Sequence, residues 1–239
     1  MLFPVCFMPV NMRFVPVSIG WTILYYRLVL KGKRRYSGVM KAGLAVFLSF
    51  LPCLLYLGYG TLRGRFSLPR GLAVAILSLA AVAVAVVCRL ALDSLAGRLS
   101  GWPSDLFDSF VSTALTEEGA RIALLLFACS AAPSRRDVAA RALLAGLAFA
   151  SFENVAYGIR FPDQVALRYL TAVPVHAGAS LLCWKTLDGG SSRGFLSALA
   201  LHGLYAFGLV SARPWISVGA LLLIVRLSVR VWGRAALFD

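Results

Sequence analysis

Acidic residues and histidines are scarce in this chain, so the position of each one is informative. The 239 residues include ten Asp and Glu, against 24 Lys and Arg, and only two histidines. All three glutamates and both histidines fall within apolar stretches, whereas the aspartates lie in connections, near the ends of apolar stretches or at the C-terminus. The absence of an intramembrane aspartate pair excludes an aspartyl site, and the absence of H-E-x-x-H excludes the common helical zinc site.

Cysteine pairs are also absent. The five cysteines occur one per segment, and no two of them have the short spacing of a disulfide framework or a zinc ribbon. A catalytic cysteine would need a polar, partnered neighbourhood, which these lack in the sequence. We predict that they are small apolar packing residues.

Long apolar runs dominate the sequence. Hydrophobic residues make up 60% of it, above the roughly 45–50% of soluble domains, so lipid is the expected solvent. The connections are too short for a soluble domain, and no internal repeat is visible. We predict an all-α, polytopic transmembrane helical bundle of about seven to eight membrane helices, multi-pass in the cell membrane. The stretches long enough to cross a hydrocarbon core of about 30 Å are 43–62, 71–92 and, approximately, 107–130, 139–158, 166–186, 194–212 and 214–232.

The N-terminal residues 1–36 are apolar but interrupted by three prolines, and they end in a basic loop. They lack the basic start and small-residue cleavage site of a secretory signal. We predict an extra or interfacial helix over about 14–30, followed by the transmembrane bundle over 37–239.

The net charge of +14 does not indicate nucleic-acid binding. The basic residues lie in short connections such as 31–35, 62–65 and 134–136. Lys and Arg next to membrane spans bind anionic lipid headgroups. We therefore predict the lipid bilayer as their partner and no nucleic acid.

Five polar residues lie where lipid would penalise them: Glu117, Glu118, Glu153, His176 and His202. An acidic residue at the centre of a membrane helix is unfavourable by about 2.5–3.5 kcal/mol, so three would cost roughly 8–10 kcal/mol if they faced lipid. This is comparable with the net stability of a whole domain. We therefore predict that all five face the interior of the bundle, where such residues usually form a functional site.

Helical spacing places Arg121 near both adjacent glutamates. It follows Glu117 by four residues and Glu118 by three, so one arginine can hold both carboxylates on one helix face. Either glutamate alone could be a structural partner of the arginine, and the spacing leaves that alternative open.

A second stripe lies on the following helix. Phe149, Glu153 and Tyr157 recur every four residues and share one face, because each step turns only about 40° around the helix. Gly146 begins this stripe and would allow a neighbouring helix to approach closely. Asn154 is the polar residue next to Glu153, and interhelical hydrogen bonding is its expected role.

Carboxylates and histidines in one apolar interior suit the addition of water to a peptide bond without a covalent intermediate. A carboxylate removed from water can take and return a proton near neutral pH. Histidines opposite it can stabilise an oxyanion or bind a metal.

The motifs resemble those of the PrsW-type intramembrane proteases. "EEGAR" (117–121), "GLAFASFENVAYG" (146–158), "VPVHAGAS" (173–180) and "HGLYAF" (202–207) follow that family's order on successive helices. The related CAAX-prenyl and bacteriocin-processing membrane proteases typically have E-E-x-x-x-R and F-x-x-x-H instead. The shorter Glu-to-Arg spacing and Glu153 favour the PrsW branch, and the motif core covers about 105–210.

The resemblance implies an intramembrane peptidase, of glutamic or metallo type, that cleaves a membrane-anchored protein such as an anti-sigma-type regulator. Glu117 would be the water-activating base and Glu118 a second essential acid, with Glu153 completing the site. His176 and His202 would stabilise the oxyanion or bind a metal. Zinc is the candidate cofactor, with Glu153, His176 and His202 as its candidate ligands. The supporting residues would be Arg121, Phe149, Asn154 and Tyr157.

Two other functions fit the same residues. In an ion- or proton-coupled transporter the acids would relay protons or bind cations, although carriers often show repeated halves. A catalytically inactive, protease-like membrane chaperone would retain the pocket without the reaction. Ala206 is relevant to this alternative, because the family often carries Asp or Asn four residues after the last histidine.

Overall fold

A computed structural model describes residues 35–129, 132, 134–161, 165–189 and 191–236. Every regular element in these residues is helical and none is a strand, which confirms the all-α fold. The predicted N-terminal helix over about 14–30 lies outside the described residues. Contacts divide the chain into residues 1–38 and residues 39–239, and the bundle described below is the second unit, with its first helix beginning slightly earlier.

The described part of the chain contains seven continuous helices, and each predicted apolar stretch from residue 43 onward coincides with one of them, although the stretch 194–212 runs two residues past the end of its helix at Val210. The third is built from three successive segments: α3, a π-helix that we call π1, and α4. The bounds are α1 (Arg35–Leu62), α2 (Leu68–Ala96), α3 (Trp102–Leu106), π1 (Phe107–Leu115), α4 (Thr116–Cys129), α5 (Arg135–Arg160), α6 (Val165–Gly189), α7 (Arg193–Val210) and α8 (Pro214–Ala236).

Among the described helices, five are long and apolar enough to cross a membrane. The other two, 102–129 and Val165–Gly189, each carry several charged residues. The described residues thus contain five helices that meet the length and polarity of a membrane span, and the larger total of seven to eight membrane helices stays a prediction. The five spans are Gly43–Leu62, Leu68–Ala96, Arg135–Arg160, Arg193–Val210 and Pro214–Ala235.

The distribution of polarity is inverted relative to a water-soluble protein. Large apolar side chains such as Leu62, Ile76 and Phe127 are exposed on the outer faces of their helices. Charged and polar side chains are buried instead, although Glu and Arg are almost never fully buried in soluble proteins unless they are paired. This arrangement is expected for helices that face lipid outside and one another inside. The buried polar side chains include Glu117, Glu118, Arg121, Arg141, Asn154, His176 and His202.

Ordinary helix-start signals set several of the helix bounds. Ser134 precedes α5 and caps it, because its hydroxyl oxygen accepts the backbone N–H of Asp137 at 3.1 Å. Prolines occupy the first turn of α2, α3 and α8, namely Pro69, Pro103 and Pro214. In the first turn the backbone N–H that proline lacks would have no helical partner anyway.

Helix α4 packs against several other helices of the bundle. It contacts α2, α5, α6 and α7. Its first turn carries Glu117 and Glu118, while Glu153, His176 and His202 lie on α5, α6 and α7. The packing therefore brings the five rare polar residues into one interior.

The helices α5 and α6 approach each other closely at Gly146, as the sequence predicts. A Cβ atom added there would lie 2.5 Å from the carbonyl oxygen of His176 and 2.8 Å from Cα of Ala177. Both atoms belong to the backbone, so they cannot move aside without shifting α6. The missing side chain at Gly146 thus sets the depth at which His176 sits.

Replacing Gly146 by alanine is expected to destabilise the protein by about 1–3 kcal/mol, because overpacking forces a backbone shift. Thermal unfolding of the detergent-solubilised protein would measure the change. Gly119→Ala is the matched control, since an added Cβ there meets no heavy atom within 4 Å in the described part of the chain. Alanine is the better helix former, so equal losses in both variants would contradict the close-approach explanation.

Candidate active site

The adjacent glutamates of α4 are both buried, but they have different partners. Glu117 is 8% exposed and Glu118 is 0% exposed. Neighbouring residues on a helix point about 100° apart, so both can be buried only because α4 is covered on several sides. Glu118 points toward Arg121 and His202, and Glu117 points toward both histidines.

Both carboxylate oxygens of Glu118 have hydrogen-bond or ion-pair partners. Its Oε1 atom forms an ion pair with Arg121 and accepts a hydrogen bond from His202 Nδ1 at 2.7 Å. Its Oε2 atom accepts a hydrogen bond from the Cys183 thiol at 3.4 Å. A carboxylate with an arginine partner and further donors is stabilised in its charged form, even where water is excluded.

Arg121 links Glu118 to the next helix. It donates a second hydrogen bond, from Nη2 to His176 Nδ1 at 2.7 Å, and its guanidinium lies over the ring of Phe149, 4.5 Å from the ring centroid. Helical spacing alone permits this arginine to hold both glutamates. In the structure it pairs with Glu118 and His176, and Glu117 is left facing the two imidazoles.

His176 is fixed by hydrogen bonds on both ring nitrogens. Arginine has only donors, so Nδ1 of His176 must accept, and the ring proton of the neutral imidazole is on Nε2. Nε2 then donates to Glu153 Oε2 at 2.6 Å. The other oxygen of Glu153 pairs with Arg168 Nη2 at 2.9 Å. A carboxylate in this position fixes both the tautomer and the orientation of the ring.

Glu117 carries the one buried carboxylate oxygen without a hydrogen-bond partner among the described residues. Its Oε2 atom is buried and unpaired, and it lies 3.8 Å from both His176 Nδ1 and His202 Nε2. Burying an unpaired polar group is unfavourable, and such groups in native proteins call for an explanation. A reacting water or a metal ion between the carboxylate and the imidazoles would provide one.

The residues around Glu117 fit a metal ion. One ligand atom each from Glu117, His176 and His202 lies within 4.8 Å of the other two. Two histidines and one glutamate form a known catalytic zinc set that leaves a fourth position open. Tetrahedral zinc ligands at about 2.1 Å lie roughly 3.4 Å apart, so the 3.8 Å separations need only a small contraction.

The hydrogen bonds also select which nitrogen could bind a metal. Because His202 Nδ1 donates to Glu118, the lone pair of the neutral ring is on Nε2, the atom that faces Glu117. The Nδ1 atom of His176 accepts from Arg121, so a metal there would compete with that hydrogen bond. The cluster differs from the predicted ligand set by one residue, with Glu117 in place of Glu153, whose oxygens are already engaged.

The predicted supporting residues lie around this core. Phe149 lies beside His176, with 5.3 Å between the ring centroids. Asn154 Oδ1 accepts a hydrogen bond from Arg168 Nε at 3.0 Å, and the ring of Tyr157 lies 3.6 Å from the Arg168 guanidinium. The structure thus brings every predicted site residue into one connected cluster. Their individual roles stay predictions.

Two residues of the cluster are not apparent from the sequence motifs. Arg168 contacts Glu153, Asn154 and Tyr157. In the sequence, its place in the site is indicated only by its spacing, because it precedes His176 by eight residues on the same face of α6. Cys183 is buried, as the packing prediction requires, but its thiol also donates to Glu118. That hydrogen bond goes beyond the predicted packing role.

Exposure shows the direction from which the site can be reached. The exposed side-chain fraction falls from 19% for Glu153 to 10% for Glu117 and 0% for Glu118. The side chain of Arg168 is 14% exposed. The site therefore opens beside Glu153 and Arg168, and the ion pair of Glu118 with Arg121 closes it at the inner end.

A buried cluster of carboxylates and imidazoles inside an apolar bundle is the arrangement of an enzyme-type site in a multi-pass integral membrane protein. Comparison with known families is consistent with this class, because residues 69–183 match the family model described as "PrsW family intramembrane metalloprotease". The resemblance predicted from the motifs is confirmed, and the match supports a membrane-embedded peptidase. The comparisons with curated proteins and with solved structures found no match.

The matched residues contain most of the site. Glu117, Glu118, Glu153 and His176 lie between residues 69 and 183, whereas His202 lies beyond that range. His202 belongs to the cluster on geometric grounds, because its ring contacts Glu118 and lies edge-on to His176 with centroids 5.2 Å apart.

Proposed function

We propose that this chain hydrolyses a peptide bond of a membrane-anchored protein, using a water molecule activated by Glu117 within the membrane. The observation that carries the proposal is the unpaired Oε2 atom of Glu117, which faces two imidazoles at 3.8 Å. Glu118 and Glu153 are both held in ion pairs, so Glu117 is the carboxylate left for proton transfer. The family match supports this class of reaction.

In this proposal each acid has a separate task. Glu117 takes a proton from the attacking water and returns it to the leaving amine. Glu118 holds Arg121 and His202 in place, and Glu153 orients His176. His202, when protonated on Nε2, would donate a hydrogen bond to the oxyanion of the tetrahedral intermediate, whereas both ring nitrogens of His176 are already engaged by Arg121 and Glu153.

Glu117, His176 and His202 are also the residues that would hold a metal ion, in which case the Oε2 atom of Glu117 would be a ligand rather than the proton acceptor. A zinc ion bound there would supply Lewis-acid polarisation of water and of the peptide carbonyl. The family description and the fit of the three ligands support zinc as the candidate. Elemental analysis of the purified protein should find about one zinc per chain, with much less in His202→Ala. Full activity of protein stripped of metal would assign water activation to Glu117 alone.

The proposed substrate is a membrane-anchored regulator of the anti-sigma type, as the family resemblance implies. A comparison of membrane proteomes from cells that produce the wild-type protein or Glu117→Ala tests the proposed function. We expect a membrane-anchored protein that is truncated within or next to its span only in wild-type cells. Identical proteomes, with both proteins inserted at equal levels, would contradict peptide hydrolysis by this site.

Replacing Arg168 by glutamine is expected to slow cleavage by about 10- to 100-fold, the usual effect of removing a group that orients a site residue. The loss should fall on kcat rather than KM, because Glu153 loses its ion pair and His176 loses its fixed orientation. Arg168→Lys keeps the charge and should recover part of the rate.

Arg160→Gln is the control for the Arg168 variants. Arg160 is an exposed arginine at the end of α5, and its guanidinium lies over the ring of Phe161. This variant should cleave normally. Equal activity of Arg168→Gln and the wild-type protein would show that Arg168 does not orient Glu153 and His176 for cleavage.

A further inference from the structure

A second candidate site lies away from Glu117, where α6 and α8 end and α7 begins. A cavity of about 210 Å³ is located there. Four basic side chains from three helices line it: Lys185 of α6, Arg193 of α7, and Arg230 and Arg234 of α8. A water molecule takes up about 30 Å³ in the liquid, so the cavity has room for a phosphate group.

The four cations have no acidic partner among the described residues. The aspartate closest in sequence, Asp188, pairs with Arg135 of α5 at 3.0 Å. All four basic side chains are exposed, so their charged groups are accessible from outside. Like charges gathered around one concave surface repel one another and attract anions. We call this surface the basic cavity.

The walls of the basic cavity are apolar on the side toward the middle of the helices. Leu182 lies one turn before Lys185 on α6, and Leu227 lies one turn before Arg230 on α8. Val231 completes this apolar side. The cavity therefore combines a cationic rim at the helix ends with an apolar wall along the spans.

Close packing of α6 against α7 forms the base of the basic cavity. A Cβ atom on Gly194 would clash with the carbonyl oxygen of Leu182 and with Thr186. The backbone N–H of Phe195 donates to Thr186 Oγ1 at 2.6 Å. The two helices are thus fixed against each other where Lys185 and Arg193 meet, so these cations are held near one another.

We propose that the basic cavity binds the phosphate-bearing headgroup of an anionic phospholipid, with the acyl chains leaving the cavity past its apolar side, where Leu227 is partly exposed. Basic pockets between membrane helices bind such headgroups. A free phosphate ion shares the charge chemistry but gains nothing from the apolar wall, so the lipid is the expected ligand. This proposal does not depend on the reaction proposed for Glu117.

Native mass spectrometry of the full chain in neutral detergent tests the proposal, with phosphatidylglycerol and phosphatidylcholine as probes. The wild-type protein should retain phosphatidylglycerol in preference to phosphatidylcholine. The double variant Arg193→Gln/Arg230→Gln should bind phosphatidylglycerol about thirtyfold more weakly, the effect of removing two basic residues at about 1 kcal/mol each. Binding of phosphatidylcholine should not change.

Two further variants distinguish an effect of positive charge inside the basic cavity from an effect of the net charge of the protein. Arg193→Lys/Arg230→Lys keeps both charges and should retain most of the phosphatidylglycerol binding. Arg98→Gln/Arg213→Gln lowers the net charge by the same amount at exposed positions that do not line the cavity, and it should bind like the wild-type protein. Equal weakening in this control and in the cavity variant would overturn the proposal.

The remaining outcomes are equally decisive. Equal retention of the two lipids by the wild-type protein would overturn the proposal, as would unchanged phosphatidylglycerol binding in Arg193→Gln/Arg230→Gln. Inorganic phosphate in large molar excess should leave phosphatidylglycerol bound. Displacement of the lipid by phosphate would instead define a site for a soluble anion and overturn the lipid assignment.

Discussion

Glu117→Gln is expected to lower the rate of cleavage of the membrane-anchored substrate by about 10²- to 10⁴-fold, the range for loss of a positioned general base. Glutamine keeps the size and polarity of the side chain but cannot accept the proton of the attacking water. The measurement uses wild-type and variant proteins in proteoliposomes, with the substrate found by the comparison of membrane proteomes. The loss should appear in kcat.

The same variant should be nearly as stable as the wild-type protein. The Oε2 atom of Glu117 has no hydrogen bond to lose, so removal of its charge breaks no described contact of that atom. Gly119→Ala, two residues away on α4, is the control for local effects and should cleave normally. Cleavage by Glu117→Gln at the wild-type rate would refute the proposed base.

Glu118→Gln is expected to have the largest effect on stability. It leaves the fully buried guanidinium of Arg121 without its ion-pair partner, and removal of one member of a buried ion pair costs about 3–5 kcal/mol. For a chain of this size this corresponds to a decrease in Tm of roughly 6–20 °C. Thermal unfolding of the purified protein in detergent would measure it.

A second substitution distinguishes an unpaired charge from a general packing defect. Glu118→Gln/Arg121→Met removes both charges, and apolar replacement of a whole buried pair is often neutral. The double variant should therefore be more stable than Glu118→Gln alone. A double variant that is less stable than Glu118→Gln would show that the instability does not come from the unpaired arginine.

The sequence predicts which segments are helices and which residues form the site. Both follow from the large free-energy cost of placing an apolar stretch in water or a charged side chain in lipid. The seven apolar stretches can face lipid favourably only as helices, and each of them coincides with a helix of the structure. The same penalty forces Glu117, Glu153, His176 and His202 toward the interior. Gly146 was also predictable, because a glycine before an inward-facing stripe is suited to close packing of helices.

The pairing inside the site was not predictable from spacing. A helical spacing of three or four residues permits Arg121 to reach either glutamate, and the choice depends on what the neighbouring helices offer. His202 and Cys183 approach Glu118 from α7 and α6, while His176 takes the second donor of Arg121. These partners come from distant parts of the sequence, so only the packing of the helices decides among them.

The sequence indicates neither the π-helix nor the role of Arg168, for two different reasons. The segment π1 lies directly before α4 and packs against α2 and α7, and no residue type in Phe107–Leu115 indicates its wider turn. Such segments are frequent at functional sites. The role of Arg168 is hidden in the sequence because one arginine near the start of a span resembles an interfacial anchor. Its contacts with Glu153 and Tyr157 become apparent only when α5 and α6 are packed together.

The most direct test of the central claim is a double-mutant cycle on cleavage rates, with Glu117→Gln, His202→Ala, the double variant and the wild-type protein. If a carboxylate on α4 and an imidazole on α7 act as one site, removing either should remove most of the reaction. The double variant should then be scarcely slower than Glu117→Gln alone. Losses that multiply, or normal cleavage by either single variant, would contradict a single shared site.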